Sequence, residues 1–376
     1  MTTVIERANL NSEPIEFIPQ PPMTPPIQVT GVVYWIHKNL FDGWYNSLLT
    51  LLSISFLMWV LPPFISWAFI DSVWQGSAQD CRVEGAGACW AFVMANFRIL
   101  MVGIYPSEEV WRPALSLLLL FGVIGLTITQ KVKGLRMVSL WLVLPFVAYW
   151  LIGGGSLGLP EVDQSRWGGL MLSLLLACVG IIISVPLGIL LALGRFSQVP
   201  LFRIWCVTSI ETIRGVPLIT ILFMASVMLP LFLPEGLDIN NLLRIQVGII
   251  LFSSAYIAEV IRGGLQAIPN GQFDAAKALG LNYRWTMFYI VVPQALRHVL
   301  PPLIGRCIAL FKDTSLVLIV GLLDLLGMLK STTQDADWLG FEAESYVFGA
   351  FVYWLICYSM SRYGKHLEEQ GAKSHH

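Results

Sequence analysis

The sequence predicts an all-α polytopic membrane protein with about eight transmembrane helices, and three observations predict it. Hydrophobic residues make up 56% of the 376 and charged residues only 12%, against roughly 25% charged in a soluble domain. Mean hydropathy is +0.70. The apolar residues fall into runs long enough to cross about 30 Å of hydrocarbon at about 1.5 Å per residue. The net charge of −1 speaks against a nucleic-acid partner.

Residues 1–43 read as a soluble tail. Pro14, Pro19, Pro21, Pro22, Pro25 and Pro26 exclude a regular helix and favour extended chain, either disordered or a docking strand. An early apolar core of the signal-peptide kind is missing there, so the first span is expected to act as its own insertion signal. That span is Trp44 to Ile70. A long polar stretch, 71–113, follows, with Trp74, Trp90, Tyr105 and Trp111 as candidates for interfacial contact. The second span is Ala114 to Gln130 and the third Met137 to Ile152. Gly153, Gly154 and Gly155 open a flexible connection to Arg166. The fourth span is Gly168 to Leu193. The fifth, Ile204 to Leu233, is too long for one straight crossing and is interrupted by Glu211, Arg214 and Pro217. The sixth is Leu242 to Ile261. A polar segment, 262–287, separates it from a Pro-containing run, Phe288 to Phe311. Lys312, Asp313, Thr314 and Ser315 interrupt that run. Leu316 to Leu329 is too short to span and reads as a helix packed in the outer half of the bundle. The last span is Tyr346 to Ser361, before a C-terminal tail at 367–376.

Loop charges set the orientation. Lys131, Lys133 and Arg136, then Arg195 and Arg203, then Arg262 to Arg284, then Arg362 and Lys365 share one side if the spans number eight. The positive-inside rule makes that side cytoplasmic and places both termini there. The acids Asp71, Asp80, Glu84, Glu108, Glu109, Glu161, Asp163, Glu235 and Asp238 collect on the other side. Of six cysteines, Cys178, Cys206, Cys307 and Cys357 lie in apolar runs and read as small buried hydrophobes. Cys81 and Cys89 lie in a Gly-rich polar loop with neither a His partner nor CxxC spacing, which argues against zinc. The external placement favours a disulfide between them and leaves the free thiols as the alternative.

The segment from Arg262 to Arg284 carries the functional signal. Gly263 and Gly264 are expected to end the preceding helix. Pro269, Asn270 and Gly271 suit a turn, and Gln272 to Leu279 a short helix. Phe273, Ala276 and Leu279 are expected on one face, with Ala275 and Ala276 keeping the surface shallow and Gly280 stopping the helix. Such an element is too short to stand alone and needs something to pack on.

Asp274-Ala275-Ala276, then Gly280, then Phe288, Pro293 and Ala295 resemble the EAA signature of permease subunits of bacterial binding-protein-dependent ABC importers. Tyr256 to Gly264, Ile268 to Gln272, Lys312 to Leu316 and Glu211 to Pro217 look like the polar-amino-acid branch of that family. The likeness covers about 168–365, and the three-span extension before it resembles the M-type permease of general L-amino-acid importers. The resemblance implies a type I ABC importer (MetI-like) core at 167–366, with its coupling loop at 262–287, preceded by a three-helix extension at 44–166. It implies residence in the bacterial inner membrane. It implies partners: two copies of a cytoplasmic ATPase that binds ATP and Mg, a second and different permease, and a periplasmic amino-acid-binding protein. Gln272, Asp274, Ala275, Ala276 and Gly280 would be the coupling residues. In two places the sequence departs from the pattern: Asp274 replaces a Glu, and Gly305-Arg306 replaces Asn and a small polar residue, which leaves the substrate path there open.

No GxxxxGK[ST] phosphate loop occurs in the chain, so a non-catalytic transport subunit is expected, without a cofactor or metal of its own. Charges within spans are costly and often functional. Arg214, Glu259, Arg306, Lys312 and Asp313, with Thr314 and Ser315, are therefore the candidate substrate path: a zwitterion needs a cation for its carboxylate and acceptors for its ammonium. The bland alternative makes Lys312–Asp313, Glu211–Arg214 and Glu259–Arg262 structural ion pairs. A self-sufficient ion-coupled transporter, the competing class, would show inverted repeats and no docking loop.

Overall fold

A computed structural model describes residues 31–373 apart from 130, 133, 235, 237 and 238. Most of the Pro-rich tail, Lys133, Glu235, Asp238 and the last three residues thus lie outside the described residues. The described chain is all helix and loop; strand pairing is limited to two isolated bridges, Val73 with Cys89 and Gly169 with Asp324. It divides after Ile70 into two compact units.

The first unit holds α1 (Val32–Leu40) and α2 (Gly43–Ile65). Pro62 and Pro63 sit in the last turn of α2. Proline removes a backbone donor, and the helix continues as the wider π turn Ser66–Ile70.

The second unit begins with a disulfide-closed loop. Cys81 and Cys89 are bonded, with Cα atoms 5.6 Å apart. The loop leads to α3 (Ala91–Val102), α4 (Trp111–Thr129), α5 (Leu135–Gly153) and α6 (Gly169–Arg195). α7 (Pro200–Arg214) opens on a proline at its first turn, where no N–H is needed. It meets the apolar stretch α8 (Leu218–Phe232) at a 104° bend, because Pro217 cannot continue a helix and holds extended backbone at its start. α9 (Asn241–Gln266) is capped by Asn240, whose side chain accepts from the Leu243 N–H at 2.8 Å. Then come α10 (Asn270–Ala278), α11 (Val292–Asp313) entered through a π stretch Thr286–Val291, α12 (Leu325–Thr332) and α13 (Glu342–Lys373).

Among the described residues, five helices are long and apolar enough to cross a membrane: α2, α4, α5, α6 and α9. The bent α7–α8 pair makes six if counted as one span. The expected seventh and eighth spans are helical but more polar. α11 carries Arg297, His298, Arg306, Lys312 and Asp313, and the apolar part of α13 is diluted by Tyr and Ser. A second difference concerns Leu316 to Leu329, which is not one helix. A 3-10 turn, Thr314–Val320, ends at Gly321, and α12 starts afresh at Leu325. Asp324 supplies the new N-cap: its carboxylate accepts from Gly327 N–H and from Tyr353 Oη, each at 3.0 Å.

α6 and α9 form the centre, and α3, α5, α7 and α11 pack around them. One cluster, with Leu172, Leu176, Ile245, Ile249 and Phe311, fills the middle. A second, with Cys206, Ile210, Ile257, Ile261, Val291 and Ala295, lies toward the α10 end. A third, at the opposite end, gathers Cys89, Phe92, Leu100, Leu325, Met328 and Phe341. The disulfide loop is latched to the α12–α13 connection. The Cys89 N–H donates to Glu344 Oε1 at 3.1 Å, and Arg82 donates to the carbonyls of Asp337 and Leu339 at 3.2 Å each. Helices α3 to α5 of the expected extension therefore share one packed unit with the core.

Candidate coupling helix and substrate path

α10 is held by few contacts of high specificity. The helix starts at Asn270, with Pro269 as N-cap in extended conformation, so Asn270 and Gly271 are helical rather than the turn expected of them. The Gln272 N–H donates to the Pro269 carbonyl at 3.0 Å. The end is a Schellman motif: Leu281 N–H donates to Ala276 O at 3.1 Å and Gly280 N–H to Lys277 O at 2.9 Å. Gly280 stands at φ +75°, a conformation that costs residues with a Cβ. The helix rests against the π stretch Thr286–Val291. Gln294 Nε2 donates to Gln272 Oε1 at 3.0 Å and to Ile290 O at 2.9 Å, fastening α10 to α11.

The faces of α10 differ from the expected arrangement. Ala276 is fully buried against its own chain and Phe273 is half-buried, but Leu279 is 77% exposed. Steps of three residues drift about 60° each on a helix of 3.6 residues per turn, so the i+6 position has left the face. Asp274, Ala275, Lys277 and Ala278 are exposed with Leu279. The free face is thus small and apolar with one charge of each sign, whereas Ala276 belongs to the seat.

Gly263 and Gly264 do not end α9, which runs on to Gln266. A Cβ at Gly264 would run into Val299 and the Ala295 carbonyl. The glycine is there so that α9 and α11 can approach closely, which small residues permit.

Directly before α10, the ends of α6, α7 and α9 meet in an ion network centred on Glu259. Arg214 lies 3.1 Å from Glu259 and 3.9 Å from Glu211. Arg195 lies 2.9 Å from Glu211 and 3.6 Å from Glu259. Arg262 bonds Glu259 through Nη2 and, at 2.9 Å, through Nε; its Nη1 reaches Gln266 at 3.0 Å. Three guanidiniums thus share two carboxylates.

From this network a cation–aromatic stack runs into the bundle. The Arg214 guanidinium carbon lies 5.7 Å from the Tyr256 ring centre, and that of Arg306 lies 4.4 Å from it. Tyr256 in turn packs on Phe252, ring centres 4.8 Å apart. The Nε groups of Arg214 and Arg306 are buried without a hydrogen-bond partner. The structure therefore brings Arg214, Glu259 and Arg306 together through Tyr256. Asp313 follows two turns after Arg306 and is half-buried, and Lys312 is exposed. No ion pair joins Lys312 to Asp313 among the described residues. The hydroxyls of Thr314 and Ser315 are spent on the carbonyls of Phe311 and Lys312, both at 2.8 Å, and Thr314 is fully buried.

Sequence reasoning passed over Tyr256, Arg195 and Asp324 as site residues. Asp324 was visible as an acid ahead of an apolar helix, the N-cap pattern. Tyr256 opens one of the family-like words, but nothing local assigns it a role; only the packing of α9 against α7 and α11 sets it between Arg214 and Arg306.

Fold and site define a class: a multi-pass helical membrane protein that offers a short, small-faced helix at one end of its bundle. Residues 184–370 match the family described as binding-protein-dependent transport system inner membrane component. The chain is 48% identical to the inner membrane amino-acid ABC transporter permease protein YhdY of Escherichia coli (strain K12), over 93% of this chain and 96% of the relative. It is 34% identical to the glutamate/glutamine/aspartate/asparagine transport system permease protein BztC of Rhodobacter capsulatus, over 94% and 97% of the two chains. Among solved structures it resembles an amino acid ABC transporter crystallised with histidines, at TM-score 0.49 and 30% identity, over 54% of this chain and 92% of that one. The chain belongs to the permease subunits of binding-protein-dependent ABC importers, multi-pass proteins of the inner membrane.

Proposed function

We propose that this chain forms part of an amino-acid path and receives its driving force through α10 from a separate cytoplasmic ATPase. What carries the reading is the outward face of α10: Asp274, Ala275, Ala278 and Leu279 are free for a partner while Ala276 and Gln272 fix the helix to its own chain. Two ATPase copies bind ATP and Mg, and this chain supplies neither catalytic residue nor nucleotide site. A second, different permease completes the path, a periplasmic binding protein delivers the substrate, and both termini are cytoplasmic. Amino acids as cargo are supported by the names of two relatives that match nearly the whole chain. The unpaired Nε donors of Arg214 and Arg306 suit a substrate carboxylate, since guanidinium–carboxylate pairs are strong and directional.

The test is a substitution on the free face. Ala275→Glu should abolish co-purification of the ATPase and ATP-driven uptake in proteoliposomes while the permease still assembles in the membrane. Ala276→Glu instead buries a charge in the seat and should reduce the amount of folded permease. Wild-type ATPase recovery with Ala275→Glu, or uptake by the reconstituted chain without ATP, would overturn the reading; the second result would favour an ion-coupled carrier.

A further inference from the structure

Three charges of α11 stand uncompensated on one side of the helix. Arg306 and Asp313 are half-buried and Lys312 is exposed. None of them makes an ion pair among the described residues. At 3.6 residues per turn, positions seven apart share a face and lie about 10 Å apart along the axis. Two such pairs run side by side: Arg306 with Asp313, and Gly305 with Lys312. A Cβ built on Gly305 would meet nothing within 4 Å, and the glycine is exposed. Ala309, between Arg306 and Asp313, is small. The helix surface joining the three charges is therefore open.

Arg306 has donors to offer there. Its guanidinium carbon lies 4.4 Å from the Tyr256 ring centre, and its Nε is enclosed. Its two terminal nitrogens are not enclosed, and among the described residues nothing bonds them. A guanidinium resting on an aromatic ring keeps such nitrogens for a carboxylate. Arg214 touches the same ring but is already engaged by Glu259 and Glu211.

The order of charges describes a solute. A cation stands alone at Arg306; two turns on, a cation and an anion stand together at Lys312 and Asp313. A dicarboxylic amino acid has the complementary order: a side-chain carboxylate at one end, and an α-carboxylate and an ammonium on one carbon at the other. A neutral amino acid would leave Arg306 without a counter-ion. A cationic one would set its side-chain charge against Arg306, and like charges repel strongly away from bulk water.

We propose that Arg306 sets the charge class of the cargo, so that the path takes dicarboxylic amino acids in preference to neutral ones and rejects cationic ones. The side-chain carboxylate pairs with the terminal nitrogens of Arg306, the α-carboxylate with Lys312 Nζ, and the ammonium with Asp313. The two-turn gap gives Arg306 the carboxylate farther from the ammonium. This inference rests on the amino-acid path proposed above and names the residue that selects within it.

The experiment measures equilibrium binding of radiolabelled L-glutamate, L-glutamine and L-lysine to the assembled permease–ATPase complex in nanodiscs. The binding protein is left out, so that its own selectivity does not enter. Glutamate and glutamine share a shape and differ in charge. Glutamate should bind about tenfold more tightly than glutamine, the worth of one partly screened charge-assisted bond, and lysine should not bind. Arg306→Gln should bring glutamate down to the level of glutamine and leave glutamine unchanged. Arg306→Lys should keep part of the preference, and Arg306→Glu should admit lysine. Lys312→Gln should weaken glutamate and glutamine alike, because both carry an α-carboxylate. Lys312 is exposed, so this variant decides the matter should the Arg306 variants fail to assemble. Equal binding of glutamate and glutamine by the unaltered complex overturns the proposal, as does a loss in Arg306→Gln common to both. So does unchanged binding in Lys312→Gln, or binding of none of the three. ATP-driven uptake by the full importer tests the underlying path separately. Uptake without charge discrimination in binding removes the role of Arg306 and leaves the path standing, whereas no uptake of any amino acid removes both.

Discussion

Neutralising Glu259 is expected to loosen the junction that leads into α10. Its carboxylate meets Arg214 at 3.1 Å, Arg195 at 3.6 Å and Arg262 through two nitrogens. A hydrogen bond to a charged group is worth about 1.5–3 kcal/mol net when shielded. Here the Glu259 side chain is 22% exposed and the three arginines 26–30%, and solvent screening brings each pair down to about 1 kcal/mol or less. Glu259→Gln keeps an acceptor for Arg262 but leaves Glu211 alone with three cations. The expected loss is about 2 kcal/mol, so local opening should become roughly thirtyfold more frequent. Amide exchange in 258–266 and 211–216, measured on the assembled complex, reads that opening. A double-mutant cycle of Glu259→Gln with Arg214→Gln should return a coupling of about 1 kcal/mol, and smaller in about 0.5 M salt. If α10 transmits work, the ATP consumed per amino acid imported should also rise. Unchanged exchange together with zero coupling would refute the reasoning and leave the network a solvated charge cluster.

Three further outcomes are expected. Gly264→Ala should cost about 1–3 kcal/mol by forcing α9 off α11 at Val299 and Ala295, seen as a lower unfolding temperature of the complex. Cys81→Ser with Cys89→Ser opens a ring spanning a sequence separation of 8. It should release about 2.5 kcal/mol of constraint, read as faster exchange in 71–91 and in the latched segment 335–344, whereas Arg82→Ala should free only the latter. Asp80 accepts from Ser77 N–H at 2.7 Å and from its Oγ at 2.9 Å, and these bonds hold its carboxyl below the usual range. A lowered folded value means that its support is complete above the unfolded value of about 3.9 and is lost as pH falls through the folded one. The turn at Ser77 should therefore keep its exchange protection down to about pH 4 and lose it below, while Asp80→Asn should remove the pH dependence.

How much could be read without coordinates depended on the range of the interaction involved. Membrane spans are local, so α2, α4, α5, α6 and α9 appear in the apolar runs almost to their ends. The break in the fifth run was equally legible, because Pro217 acts on its own backbone. Gly280 ended its helix as expected. Errors arose where one residue type admits two causes. Gly264 resembled a helix stop, but it serves a helix crossing that involves Val299, which is distant in sequence. Leu279 is expected to share one face with Phe273 and Ala276 by a three-residue rhythm, which drifts with the helical pitch.

The chain's own sequence determined that lipid is its solvent, that a short polar helix would stand between two of its apolar segments, and that no phosphate loop comes with it. These follow from composition and near-neighbour chemistry, which act before any tertiary contact forms. Tertiary structure alone decided which side of that helix is free. Ala275 and Ala276 are adjacent identical residues, and only the seat formed by Thr286–Val291 and Gln294 turns one inward and the other outward. It also decided that Arg214 and Arg306 share Tyr256. Such arrangements are set where helices cross, by packing between residues far apart in the chain.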